Sequence, residues 1–320
     1  MNTLLEVRGL KTQFVTERGI VRAVDGVDLG VAAGNTLGVV GESGCGKTVL
    51  ALSIMRLVQS PPGRIVAGRV LLDGRDLLVL SEDQMRQVRG RDISMIFQEP
   101  MTSLNPVLKI GEQLVDVMQA HKKIDRKTAQ QEAMQMLREV QIRDVEHVMK
   151  CYPYELSGGM RQRVMIAAAL SCSPALLIAD EPTTALDVTV QAQVLQLLKN
   201  AAKKNGTSVL FISHDLGVIA QICTHVAVMY AGEIIETGTV AEVLTKPQHP
   251  YTKALLKALP DFDTSGEELE AISGSVPGNS EVIVGCRFHM RCRQCSTECK
   301  TEKPKFSKVA SNHDVRCFMC

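Results

Sequence analysis

Residues 36–48 read TLGVVGESGCGKT, and the fold is decided there. Residues 36–40 are a short apolar run suited to a buried strand, and 41–46 contain three glycines. From residue 47 to about 58 the spacing predicts a helix that buries Val49, Leu50, Leu52, Ile54 and Met55. Strand, glycine-rich turn and helix are the context that the string G-x-x-x-x-G-K-S/T requires. The glycines allow backbone conformations in which successive N–H groups converge on phosphate oxygens. The helix beginning near Gly46 adds its positive end. Gly41, Glu42, Ser43, Gly44, Cys45, Gly46, Lys47 and Thr48 are therefore expected to cradle the phosphates of ATP. Lys47 would reach the β- and γ-phosphates, and the Thr48 hydroxyl would ligand Mg²⁺.

Downstream, ALLIAD (175–180) is an apolar strand ending in a carboxylate, with Glu181 immediately after it. Asp180 is placed to hold the Mg²⁺ shell and Glu181 to polarise a water in line with the γ-phosphate. SVLFIS (208–213) and HVAVMY (225–230) are further continuous apolar runs, as expected of strands buried on both faces of a parallel sheet. Helical stretches, including residues 190–203, separate them. Residues 1–40 are β-rich, and 65–80 form a strand pair turned by Asp73-Gly74. From about 104 to 154 the texture is helical, with Ala129, Ala133, Met136, Leu137 and Val140 on one buried face.

Composition narrows the function. In 320 residues, 36 Lys+Arg against 35 Asp+Glu leave a net charge of +1, so no basic field for nucleic acid is present. Aromatics are 3% with no Trp, which argues against base-stacking platforms. The N-terminal MNTLLEVRGLKTQF lacks the order of a signal peptide. The longest uncharged apolar run, 164–179, is shorter than the ~20 residues of a membrane span and is broken at 171–174. The chain is expected in the cytosol, meeting a membrane only through partners. Six of its ten cysteines fall in the last 35 residues, after a Ser-, Gly- and Glu-rich stretch at 261–284. In a reducing compartment that cluster reads as metal-binding rather than as a disulfide framework.

LSGGM (156–160), continuing as RQRVMIAAAL, resembles the signature motif of the ABC ATPase family. Ser157 can cap a helix whose amide-rich N-terminus faces outward. In that family this end meets the γ-phosphate held by a second subunit, so Ser157, Gly158 and Gly159 are implied nucleotide contacts in trans. The resemblance extends to Gln98 in IFQEP, as a sensor of Mg²⁺ and the attacking water, and to Asp187 in the loop that crosses the dimer interface. It also covers His214 in FISHD, as a γ-phosphate contact. The family's adenine-stacking aromatic is poorly matched; Phe14 is the nearest candidate. The implied architecture is an α/β P-loop NTPase of ABC type (residues 1–260). It carries an antiparallel β subdomain and a helical subdomain at about 104–156, followed by a Cys-rich extension at 261–320.

Within the family, QEPMTSLNP (98–106), YAGEIIETG (230–238) and HPYTKALLKALP (249–260) are similar to the oligopeptide, dipeptide and nickel importer branch. That resemblance implies a peripheral ATPase at the cytoplasmic face of the cell inner membrane. Its partners would be a second, different ATPase subunit, two transmembrane permeases and an extracytoplasmic binding protein. Peptides are the first expectation for cargo and nickel the second. GCRFHMRC (285–292) resembles the branch's C-terminal extension, and this implies Cys286, Cys292, Cys299 and Cys317 as thiolate ligands of a 4Fe–4S cluster. Cys295 and Cys320 depart from that pattern, and the C-x-x-C pairs 292/295 and 317/320 leave a zinc site as the alternative. His289 reads as a surface or packing residue. A soluble ABC ATPase of DNA repair or translation and an exporter subunit are the rival readings. The single nucleotide unit and neutral charge stand against the first, and the importer-type tail against the second.

Overall fold

The computed structural model describes residues 3–17, 19–98, 103–184, 187–258, 272–277 and 283–320. Strands β1 (Thr3–Thr16), β2 (Gly19–Ala32) and β3 (Thr36–Val40) lead into helix α1 (Lys47–Ile54), followed by β4 (Gly63–Leu72) and β5 (Arg75–Asp76). Helix α2 (Glu82–Val88) and strand β6 (Ile93–Ile96) come next, then helices α3 (Ile110–His121), α4 (Arg126–Glu139), α5 (Val145–Val148) and α6 (Gly158–Leu170). The chain continues as β7 (Leu176–Asp180), α7 (Val188–Asn205), β8 (Ser208–Ser213), α8 (Leu216–Ile222), β9 (His225–Tyr230) and β10 (Glu233–Thr239). It ends with α9 (Val240–Thr245), α10 (Pro250–Lys257), α11 (Thr297–Thr301), β11 (Ser307–Ala310) and β12 (His313–Val315). Among the described residues no helix is long and apolar enough to cross a membrane.

The chain divides into two compact units. The first comprises Met1–Leu4, Val31–Asn35 and Val79–Leu210, and the second Leu5–Gly30, Thr36–Leu78 and Phe211–Cys320. In the first, β6 and β7 pair in parallel, Ile93 opposite Leu176 and Ile96 opposite Ala179. Every residue of both strands is buried. This is what an uninterrupted apolar run becomes when both faces of a parallel sheet are covered. The helical part is built on small residues. Ala129, Ala133 and Leu137 of α4 are fully buried, one turn apart, where short side chains let α3 and α6 pack close. Met136 is only half-buried, so the inward face is narrower than the sequence pattern implied.

In the second unit the antiparallel sheet runs β2-β1-β4-β5, and β3 pairs in parallel with β9 in a second sheet continued by β10, β12 and β11. Asp73 and Gly74, at φ 49° and 77°, make the β4–β5 turn as expected, because two successive positive φ values suit only such residues. Helix α1 stops at Ile54, four residues before the sequence reading. Arg56 takes φ 53°, and the Leu57 N–H donates to the Leu52 carbonyl at 2.7 Å. That left-handed closure ends the helix before its apolar pattern does.

The C-terminal segment is part of this second unit. β12 pairs with β10, Glu236 opposite Val315, and β11 adds outside β12. Glu236 is fully buried and ties three segments together. Its Oε1 contacts His313 Nε2 at 2.7 Å and accepts the Gln248 N–H at 2.7 Å, while Oε2 accepts the His249 N–H at 2.9 Å. A buried carboxylate is tolerated only with such partners, and removing it strands all of them. Glu236→Ala is therefore expected to cost about 3 kcal/mol, read as a lowered thermal unfolding midpoint. An unchanged midpoint would show that the tail is not fastened there.

Candidate nucleotide-binding site

The phosphate loop wraps its own lysine. Lys47 is nearly buried, and its ammonium donates to the carbonyls of Gly41 at 2.6 Å and Glu42 at 3.0 Å. The Cys45 N–H donates back to the Glu42 carbonyl at 3.2 Å, so residues 41–47 close on themselves. Two glycines are enforced by their surroundings. A Cβ on Gly41 would stand 2.1 Å from the Met229 carbonyl oxygen. Gly46, at φ 108°, caps α1, and a Cβ there would stand 2.2 Å from the Ala23 carbonyl oxygen. Thr48, exposed in the first turn of α1, offers a hard oxygen of the kind Mg²⁺ prefers.

Glu42 is held from outside the loop as well. Its N–H donates to the Tyr251 hydroxyl at 2.9 Å, and its carboxylate accepts from Arg291 at 3.0 Å. The HPY string at 249–251 positions that hydroxyl. His249 caps α10, its Nδ1 accepting the Tyr251 N–H at 3.0 Å, and Pro250 fills the first helical position. Burial pushes the His249 imidazole down to about 3, which keeps it neutral and able to accept. Tyr251 packs with Tyr230 and Phe288, ring centroids 4.7 and 5.5 Å away. His214, directly after β8, is exposed in this same unit. Phe14, half-buried on β1, faces Gly63 of β4, whose added Cβ would meet the Phe14 ring at 2.8 Å.

The first unit carries the carboxylates. Asp180 ends β7 and is 1% exposed. Glu181 takes φ 45°, a left-handed conformation that costs a non-glycine residue of the order of 1 kcal/mol. Its Oε2 accepts from Gln98 Nε2 at 3.2 Å and from Thr184 Oγ1 at 3.0 Å. The sequence reading named Gln98 but missed Thr184. Its spacing of three from Glu181 carried the signal, because a turn after β7 returns residue 184 to the carboxylate (Thr184 N–H to Glu181 carbonyl, 3.2 Å). Ser157 caps α6, its hydroxyl accepting the Met160 N–H at 3.4 Å. Ser157 and Gly158 are exposed, a Cβ on Gly158 would meet nothing within 4 Å, and one on Gly159 would meet Val190 at 3.1 Å. Asp187 caps α7 by accepting the Val190 N–H at 2.9 Å. Residues 185–186 of the same loop and 99–102 after Gln98 lie outside the described residues, as does most of the 261–284 stretch.

In the tail, Cys286, Cys292, Cys299 and Cys317 line one small cavity with His249, Phe288 and His289. Gly285, at φ 82°, admits the Cys299 carbonyl, which accepts the Cys286 N–H at 2.9 Å. The Met319 N–H donates to the Cys317 sulfur at 3.4 Å. Burial raises the thiols of Cys286, to about 11, and of Cys292. His289, read from sequence as a surface or packing residue, is half-buried beside the same thiols, its Nδ1 2.8 Å from the Cys286 carbonyl oxygen. Among the described residues no group of three or more His, Cys, Asp or Glu side chains is arranged to hold a metal ion.

The Glu181 contacts make a prediction about Thr184. Thr184→Val removes one donor from that carboxylate, so nucleotide turnover should fall roughly tenfold while ATP affinity stays unchanged. Steady-state phosphate release with a parallel binding titration reads both. Unchanged turnover would make the contact incidental.

With this geometry in place, the comparisons identify the family. The ABC transporter family pattern matches residues 24–184, and the oligopeptide/dipeptide transporter C-terminal region matches residues 235–299. The chain is 50% identical to the oligopeptide transport ATP-binding protein AppD of Bacillus subtilis, spanning 100% of this chain and 97% of that one. It is 47% identical to the dipeptide transport ATP-binding protein DppD of the same organism, over 100% and 95%. Among solved structures, the ATP-binding cassette MJ0796, a dimer in a post-hydrolysis state bound to ADP and Pi, superposes with a TM-score of 0.66. The identity is 25%, covering 74% of this chain and 98% of that one. The chain belongs to the ABC transporter family, as an ATP-binding and ATP-hydrolysing subunit with the C-terminal region of the oligopeptide/dipeptide transporters.

Proposed function

We propose that this chain is one of two ATPase subunits of an importer that takes up di- or oligopeptides, docked on the cytoplasmic face of the inner membrane against two permease subunits and supplied by an extracytoplasmic binding protein. The full-length match to peptide-transport relatives supports the cargo class, with nickel the second reading.

The observation that carries the mechanism is the exposed N-terminus of α6. Ser157 caps it through the Met160 N–H, Ser157 and Gly158 are exposed, and a Cβ on Gly158 would meet nothing within 4 Å among the described residues. A helix N-terminus attracts anionic phosphate. When a second cassette brings its own bound γ-phosphate there, closure gains a contact on each side, and ATP holds the pair together. Lys47 and the loop amides would hold the β- and γ-phosphates, and Thr48 and Asp180 are the residues that would supply oxygen ligands for Mg²⁺, which would neutralise phosphate charge. Glu181 accepts a proton from the attacking water, its carboxylate aimed by Gln98 and Thr184. His214 and Asp187 complete the γ-phosphate and interface contacts, and Phe14 is the candidate adenine contact. Loss of the γ-phosphate removes the contact that held the pair, and the reopening is passed to the permeases.

Glu181→Gln should therefore bind ATP with wild-type affinity, lose turnover by at least ~100-fold, and accumulate as an ATP-dependent dimer with its partner cassette. Adding Ser157→Arg should abolish that dimer in size-exclusion chromatography. Hydrolysis by Glu181→Gln at the normal rate would remove Glu181 from the base role.

For the tail thiols an iron–sulfur group is the first reading and zinc the second. Cys286, Cys292, Cys299 and Cys317 share one cavity, and the Met319 N–H donates to the Cys317 sulfur at 3.4 Å. These four cysteines would hold the iron–sulfur group, and the group would supply a cross-link among separate tail segments. Anaerobically purified protein is expected to carry about four iron and four acid-labile sulfide per chain. Zinc without sulfide would contradict this.

A further inference from the structure

The tail reaches the ATP site through one side chain. Arg291 directly precedes Cys292, yet its guanidinium is almost wholly buried against the phosphate loop. Nη1 donates to Glu42 Oε1 at 3.2 Å and Oε2 at 3.0 Å and to the Tyr230 hydroxyl at 3.4 Å. Nε donates to the Ser273 carbonyl at 2.9 Å, and Nη2 to the carbonyls of Ile272 and Gly274 at 3.3 Å. The guanidinium also lies 5.8 Å from the Tyr230 ring centroid. Every donor is used, and Glu42 supplies the carboxylate among the acceptors.

Glu42 is the residue through which the loop can be pulled. Its carbonyl accepts from Lys47 and Cys45, its N–H is spent on Tyr251, and its carboxylate is spent on Arg291. A carboxylate on a loop that must receive phosphate repels its own ligand unless neutralised. A loop that binds through backbone amides also binds best when those amides are fixed beforehand. Arg291 does both. It cancels the Glu42 charge and locks the loop by a side chain carried on a different segment of the chain.

We propose that Arg291 is a positioning residue for the phosphate loop, making the Cys-rich tail a working part of the ATP site rather than an appendage. The consequence is separable from folding: loosening the tail should cost ATP affinity first and chemistry little, because Arg291 acts on the phosphate loop whereas the proposed base is Glu181.

Full-length Arg291→Ala, Arg291→Lys, Glu42→Ala and the Arg291→Ala/Glu42→Ala double variant test this, with ATP affinity by titration, ATPase kinetics in the assembled transporter, and thermal unfolding. Arg291→Ala should raise Kd and KM for ATP about tenfold and leave kcat within about twofold. Arg291→Lys, which keeps a charge but loses the fork, should recover part of the affinity. The double variant should be no weaker than the worse single one, as for two residues acting through one contact. The proposal is overturned if Arg291→Ala lowers only the unfolding midpoint at native Kd and KM, if kcat falls while KM holds, or if the two losses simply add.

Discussion

A phosphate loop binds with backbone amides, and backbone amides have no side chains with which to hold themselves in place. That constraint organises the second unit. The loop needs glycines because Gly41 and Gly46 pass within contact of the Met229 and Ala23 carbonyls, so the walls fix its path where bulk cannot. It then needs anchors, and Glu42 is gripped at its carbonyl, its N–H and its carboxylate. The aromatic group of Tyr230, Tyr251 and Phe288 is the floor behind those anchors, and Phe288 belongs to the tail. The buried Glu236–His313 contact fastens the same tail from the other end of the sheet. Tail, sheet and loop of this unit are therefore one packing problem.

The first unit meets a different demand. The carboxylate proposed as the base must be aimed. Gln98 and Thr184 donate hydrogen bonds to Glu181, which is held in a left-handed backbone conformation that the turn after β7 supports. The N-terminus of α6, in contrast, is capped only by the Ser157 hydroxyl and keeps Ser157 and Gly158 exposed among the described residues. An exposed helix end of this kind suits an anionic phosphate.

Much of this was legible in the sequence, and the reason is locality. Eight consecutive residues specify the loop, and the strands at 176–180, 208–213 and 225–230 declare themselves as unbroken apolar runs. The Asp73-Gly74 turn needs only its own two φ angles. What stayed hidden depends on partners far along the chain. Tyr251 and Arg291 lie 209 and 249 positions from Glu42, and no spacing rule joins them. The early end of α1 followed from the conformation of Arg56, which competes with an apolar pattern that runs on past it. Thr184 was within reach of a local argument, since a turn after β7 suffices to bring it back.

The central claim is that each half of this ATP site is completed by the signature helix of a second cassette. Photocleavage of the vanadate-trapped transporter tests it most directly, because light cuts the backbone only where it touches the trapped anion. The account predicts paired cuts in this chain, one within residues 41–48 and one at Ser157, both requiring Mg²⁺–ATP and the partner cassette. Cuts confined to the phosphate loop, with residues around Ser157 left whole, would contradict it.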